Sequence, residues 1–556
     1  MAGGRGALMV PGKSVDDRLV RVGALELTRC PATAGHEREQ PLFGPWCTTT
    51  PHRGESRPRL HPPERLTVLA LALAWSLVGA LLRLPGMRVD AWEDEAITIG
   101  IAQHVGHLPS LLRADGSPPL FYALLAGWMH LVGSSPAATR GLTLVLGVAT
   151  VPLGAWVGYL VARYQGAFLA AGLMAVSPAL VASSTEVRPY ALVALLGLAS
   201  LGLGIKVVRA PGAGWVAGLA ATEALCLYSH AWGMLYVAAL SGTLVIACLL
   251  ACPLARARSV VGAALGAGLA FSPWVPTMMY QRRHTGAPWL RAPDATVLKA
   301  GMIDAAGGSR AATVLVIVLV VGVALAIRDR HLEPTLVIIF SVVALTLAGG
   351  YSVSVLVQPA WHSRYLRVVV PALLLIPVAL AERHLLPRAV ACVLTGVLLV
   401  QSVQADQLIT QESKTALGRV ATMVASSGKV GNDLTVATGF QDVPTLAYAL
   451  RQHHLEAVFL DSFGIEARPF ALDWRDLSSR LAHVNVSKER SASAALPAGA
   501  VVLEITPSVH DLRTPTLVKV AAADRALAME VQSDTSLRLT EQWTHDLWTV
   551  RFYQRR

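Results

Sequence analysis

Eleven stretches of the length that spans a bilayer follow one another along this chain, and that succession constrains its fold more than any other feature. They lie near 66–84, 140–162, 167–183, 189–207, 213–230, 233–252, 259–279, 311–328, 334–352, 366–382 and 387–404. A helix needs about 17–25 predominantly apolar residues to cross the hydrocarbon core. Backbone polar groups find no partner in lipid, so such stretches fold as helices. Composition agrees: 53% of the 556 residues are hydrophobic and only 15% charged, against about 25% charged in a soluble domain. Mean hydropathy is +0.50. The net charge of +11 is scattered between apolar runs and forms no single patch. That distribution argues against nucleic acid as a partner and fits basic residues that set membrane orientation.

The chain divides into three parts. Residues 1–65 carry no periodic apolar pattern and read as a disordered, basic cytoplasmic tail. Residues 66–404 form a polytopic all-α membrane domain. Residues 405–556 hold 17 acidic and 16 basic residues, an ordinary soluble balance. Short apolar runs at Leu434–Thr438, Ala457–Leu460 and Ala500–Ile505 interleave with helical patterns such as Val443–His453, which predicts a small α/β domain. The apolar segment Pro118–Val132 is about fifteen residues long, opens on two prolines and contains Trp128 and His130. It is expected to lie in the interface rather than to span.

With the tail inside, the inner loops carry Arg163, Lys206, Arg209, Arg256, Arg258, Arg328 and Arg388, as the positive-inside rule requires. The outer loop 280–310 departs from it with Arg282, Arg283, Arg291, Lys299 and Arg310. An odd number of crossings puts 405–556 outside the cytoplasm. The six cysteines sit in the tail or in apolar runs, so disulfides are not expected, and no Cys/His spacing suggests a metal site.

Candidate chemistry gathers on the outer face. After the first span Asp90, Glu93, Asp94 and Glu95 fall within six residues. Like charges this close resist simultaneous ionisation, which can poise one carboxylate as a general base; a solvated acidic loop would look the same. Asp94 and Glu95 are the favoured pair. Asp115-Gly-Ser-Pro118-Pro119-Leu-Phe-Tyr122 follows, its prolines making a stiff helix entry. Glu186, Arg188 and Tyr190 alternate at the junction of the third and fourth spans. They read either as a structural Glu–Arg pair or as a guanidinium offered to a phosphate. His230 closes the fifth span in Tyr228-Ser-His230-Ala-Trp232, two helical turns after Glu223, so both are expected to face one polar cavity. Arg364 and Tyr365 end Trp361-His-Ser-Arg364-Tyr365, where Arg364 meets lipid phosphates in general or one phosphate in particular.

In this order, with Phe271-Ser-Pro-Trp274 added, the motifs resemble the GT-C superfamily of membrane glycosyltransferases. The branch in view is that of protein O-mannosyltransferases, lipid A aminoarabinose transferases and Rgt-type (RgtABCD-like) transferases. The resemblance covers roughly residues 66–380 and leaves 405–556 untouched. It implies a GT-C fold of about eleven transmembrane helices with interfacial helices in the first outer loop, followed by the extracytoplasmic α/β domain. It also implies a polyprenyl-phosphate-sugar donor bound from the outer leaflet, and the Ala-, Arg- and Val-rich composition suggests that the membrane is a bacterial plasma membrane. Asp94 would act as base, with inversion at the anomeric carbon. Arg188, Arg364 and Tyr365, with His230, would hold the lipid phosphate. Asp115, Pro118, Pro119, Tyr122, Glu186 and Tyr190 would shape the acceptor side. A divalent cation, magnesium or manganese, is a candidate cofactor, with Glu95 or Glu186 orienting it or the acceptor. Membrane lipids and a cell-envelope glycan, lipid or protein acceptor would be the partners, and mannose or arabinose the sugar. A transporter or flippase of lipid-linked sugars and a non-catalytic envelope-assembly subunit are the competing readings.

Overall fold

The computed structural model describes residues 62–556 apart from 288, 330–332, 382–384, 412–416, 431–433, 485–495, 511 and 546. The reading of 1–65 as a cytoplasmic tail therefore falls almost wholly outside the described residues. Each of the eleven apolar stretches coincides with helix, yet they differ in length. Six helices among the described residues are long and apolar enough to cross a membrane, and seven if the bent pair Ala295–Ala306 and Ser309–Leu325, which turns through 86°, counts as one span. The remainder fall short for identifiable reasons. Two predicted stretches share the 41-residue helix Pro136–Val176, which breaks where Ala162 and Arg163 leave helical φ/ψ. Leu66–Leu81, Ala213–Leu227 and Val370–Leu380 are shorter apolar helices. A chain with this set of helices is a membrane protein.

Helix Tyr190–Arg209 lies at the centre of the bundle, with 78% of its apolar window buried inside the protein. Between the first apolar helix and Pro136–Val176 the chain forms three short helices, Glu93–Gln103, Leu108–Asp115 and Leu120–Val132. At 13 residues the last rises only about 20 Å and cannot cross the core. The Trp128 indole N–H donates to the Ala138 carbonyl (2.8 Å) and pins it to the start of the long helix. Gly116 ends Leu108–Asp115 in a left-handed cap at φ 94°, and a side chain there would also meet Thr285 Oγ1 at 2.8 Å.

The C-terminal part is a six-stranded sheet of β1 (Leu434–Thr438), β2 (Ala457–Asp461), β3 (Gly464–Ile465), β4 (Val501–Pro507), β5 (Leu537–His545) and β6 (Trp548–Arg555). Their order is β3-β2-β1-β4-β6-β5. β1 pairs in parallel with both β2 and β4, while β6 runs antiparallel to β4 and β5. Alternation along buried β1 explains the two layers. Leu434 and Val436 pack with helices Leu417–Ser426 and Val443–Gln452, and Ala437 packs on the other face with Leu527 and Val531 of Pro515–Ser533.

The two parts share a core. Ile97, Ile101, Leu111, Leu112 and Tyr122 of the first-loop helices pack with Phe440, Leu472, Trp474 and Leu477 of the C-terminal part. The His104 and Phe470 rings stack at 3.6 Å, and the Trp474 N–H donates to the Ala114 carbonyl (3.1 Å). The expectation about disulfides fails at one position: Cys252 is disulfide-bonded, while Cys226, Cys248 and Cys392 are free.

Candidate active site

Helix Glu93–Gln103 starts at Trp92, whose backbone N–H donates to Glu95 Oε2 (3.3 Å). Three acids in the first turn suit the positive end of a helix. Glu95 is fully buried, and Arg140 grips it with Nε–Oε1 at 2.9 Å and Nη2–Oε2 at 2.5 Å. The same guanidinium donates to the carbonyls of Val89 and Asp90. Glu95 Oε1 also accepts the Val187 N–H (2.8 Å). One buried carboxylate thus ties the start of this helix to Pro136–Val176 and to the turn carrying Arg188. Breaking such a pair strands a buried charge, at a cost of about 3–5 kcal/mol.

The next residue back, Asp94, points to a different place. Its Oδ2 lies 2.9 Å from Arg364 Nη1, with both side chains about a quarter exposed. The Arg364 guanidinium also lies over the Trp92 ring, 4.6 Å from its centroid. Arg188 Nη1 donates to Thr98 Oγ1 (2.8 Å), and Arg188 Nε is buried with no hydrogen-bond partner among the described residues. These groups line one cavity of about 510 Å³, within the range of small-molecule sites.

Of the twelve side chains expected at the site, Asp94, Asp115, Pro118, Arg188, His230, Arg364 and Tyr365 line this cavity, and Glu95, Pro119, Tyr122, Glu186 and Tyr190 stand outside its lining. Three of those five support it. Glu95 acts through Arg140 and Val187 as above. The Tyr122 hydroxyl donates to Asp115 Oδ2 (3.1 Å), and Tyr190 packs edge-on to His230 and tilted against Tyr365, at 5.7 and 6.3 Å. The Arg188 N–H donates to the Glu186 carbonyl (2.7 Å), which closes the turn that carries Arg188. Glu223 does not share the cavity with His230: it is fully buried and accepts from Ser241 Oγ (2.6 Å). Helical spacing put both on one face, but His230 leaves the helix as the N-cap of Ala231–Ala251.

Glu93 is a site residue the sequence reading passed over, although it belongs to the same acidic run. Burial, reinforced by the Asp94 carboxylate, pushes it up to about 8, so it is protonated at neutral pH beside Asp94. Burial also raises Asp115 above the usual carboxylate range. His362 accepts the Arg364 N–H on Nδ1 (3.2 Å), and burial beside Arg364 holds it down to about 4, a neutral ring. Trp274, Trp289 and Gln281 complete one wall, and Gln441, Trp474 and Arg513 come to it from the C-terminal part. No motif marked those last three residues in the sequence. Among the described residues no three His, Cys, Asp or Glu side chains converge on a metal-sized site. Asp94 faces the Arg364 guanidinium, which leaves it a poor metal donor.

Protein-family models give no match to the chain, and no curated protein matches its sequence. Solved structures do. ArnT from Cupriavidus metallidurans in the apo state superposes with a TM-score of 0.58 at 12% identity, over 88% of this chain and 97% of that one. The same protein bound to undecaprenyl phosphate gives 0.54 at 13% identity over the same shares. The chain shares the fold of ArnT, a helical membrane bundle with a C-terminal α/β part, which is the architecture that the ordered motifs implied. At this identity the likeness speaks for the fold, and the chemistry rests on the residues themselves.

Proposed function

We propose that this chain is a membrane glycosyltransferase that moves a sugar from a polyprenyl-phosphate carrier to a hydroxyl by inverting single displacement. The observation that carries the reading is the Asp94–Arg364 pair, with Arg188 on the same cavity wall. An acceptor oxygen attacks the anomeric carbon and its proton passes to Asp94 Oδ1, the oxygen Arg364 leaves unbonded. The carbon–oxygen bond to phosphate breaks, and its electron pair stays on the phosphate. The lipid phosphate gains a negative charge, which Arg188 and Arg364 stabilise. A base in reach supplies about 10²–10⁴-fold, and fixed charge on the leaving oxygen is usually the larger share. Neutral Glu93 keeps a second negative charge away from the phosphate. His230, neighbouring Tyr365 at 5.0 Å, shapes the same end.

That ArnT binds undecaprenyl phosphate supports a polyprenyl-phosphate donor here. In this reading residues 66–404 cross the membrane eleven times, the shorter helices doing so with the help of their neighbours. The cavity and the domain 405–556 face outward from a bacterial plasma membrane. Mannose and arabinose are the candidate sugars, and the acceptor belongs to the cell envelope. Protein in nanodiscs, given labelled polyprenyl-phosphate mannose or arabinose and an envelope extract, is expected to pass label to an envelope component and release polyprenyl phosphate. Label that crosses the bilayer still attached to its lipid would instead make this a flippase.

A further inference from the structure

The cavity has a second wall that the donor chemistry does not use. Trp274, Trp289 and Trp474 line it, with Gln441 and Arg513. Trp274 Nε1 is buried with no hydrogen-bond partner among the described residues. An unmet donor is costly, and a bound hydroxyl would meet it. Trp289 and Trp474 stand edge to face at 4.8 Å, with Trp474 held from behind by Phe440 at 5.9 Å.

The C-terminal sheet adds an independent pointer. From β1 the chain moves to β2 on one side and later to β4 on the other, both parallel to β1. The carboxyl ends of β1 and β4 therefore flank a topological switch point, where open α/β sheets bind ligands. Gln441 follows β1 and Arg513 follows β4, and both reach the cavity.

We propose that this wall is the acceptor subsite and that it takes a saccharide, the terminal sugar of a glycan. The inference rests on the glycosyltransferase reading and narrows its acceptor. A sugar ring has an apolar C–H face and a polar hydroxyl edge. Indole faces suit the first, and an amide, a guanidinium and a free indole N–H suit the second. An acyl chain would leave the Trp274 indole N–H unmet. A site built to hydrogen-bond hydroxyls rejects ligands that lack them.

Saturation-transfer NMR on the full chain in nanodiscs tests this, with methyl glycosides of dimannose, diarabinofuranose and cellobiose as probes. Polyprenyl phosphate binding is measured in parallel. At least one glycoside is expected to bind. Gln441→Ala combined with Arg513→Ala, and separately Trp289→Ala, should each weaken it tenfold or more and leave polyprenyl phosphate affinity unchanged. The proposal is overturned if no glycoside binds, if both variants bind as wild type does, or if only a serine peptide or glycerophosphoethanolamine binds. Loss of polyprenyl phosphate binding in the wild type would count against the donor reading alone, since the glycoside result still decides this one.

Discussion

Arg364 Nη1 and Asp94 Oδ2 sit 2.9 Å apart although 270 residues separate them in the chain. The pair joins the first outer loop to the turn before helix Val370–Leu380, so the carboxylate offered as base and one cation offered to the leaving phosphate share a wall. Arg364→Lys keeps the charge and loses the two-pronged guanidinium. Polyprenyl phosphate affinity should fall about tenfold or more, since a hydrogen bond to a charged group contributes about 1.5–3 kcal/mol. Titrating labelled polyprenyl phosphate into nanodisc-held variants measures this, and unchanged affinity would remove Arg364 from the donor site.

Arg140→Met tests the Glu95 tie. With Arg140 only 1% exposed and Glu95 at 0%, the substitution leaves a buried carboxylate without its cation. The loss should reach about 3–5 kcal/mol, read as a large drop in melting temperature. The double variant with Glu95→Gln should recover part of it. A single variant as stable as wild type would show the pair to be incidental.

Glu93 predicts a pH dependence. Its folded value, about 8, lies above the ordinary glutamate value of 4.5. Between those values the folded state holds a proton that the unfolded chain releases, so this group's contribution to stability falls as pH rises through that window. Above about 8 it also adds negative charge beside the phosphate. Stability and donor affinity should both decline from neutral pH to pH 9 in the wild type, and Glu93→Gln should flatten the trend. Identical profiles for the two proteins would refute the protonated Glu93.

Gly100 sits where the two parts of the chain meet. A side-chain carbon there would lie 2.0 Å from the Phe470 carbonyl oxygen. Gly100→Ala should loosen the C-terminal part, speeding proteolysis near 470 and hydrogen exchange in 434–461, with the membrane helices unaffected. Unchanged protection would mean that Phe470 yields easily.

The sequence displayed some of this plainly and hid the rest for physical reasons. A short apolar run made Leu434–Thr438 legible as β1 and the helical period made Val443–Gln452 legible, with nearly the observed bounds. β5 and β6 went unseen because an edge pair such as Leu537–His545 alternates weakly, with most of its residues partly or fully exposed. Hydropathy located the apolar helices but could not tell one 41-residue helix with a break at Ala162 and Arg163 from two spans. At the site, charge beside an apolar run marked Asp94, Arg188 and Arg364. Adjacency misled at Glu95, whose side chain, about 100° around the helix from Asp94, turns to Arg140 instead of the cavity. Gln441, Trp474 and Arg513 had no local signal, because their place depends on how the C-terminal sheet docks.

The most direct test of the account is sugar transfer by Asp94→Asn protein in nanodiscs, supplied with the labelled polyprenyl-phosphate sugar that the wild type uses. The account predicts a rate at least about 10²-fold below wild type, with polyprenyl phosphate still bound. Transfer at the wild-type rate by folded Asp94→Asn protein would contradict it.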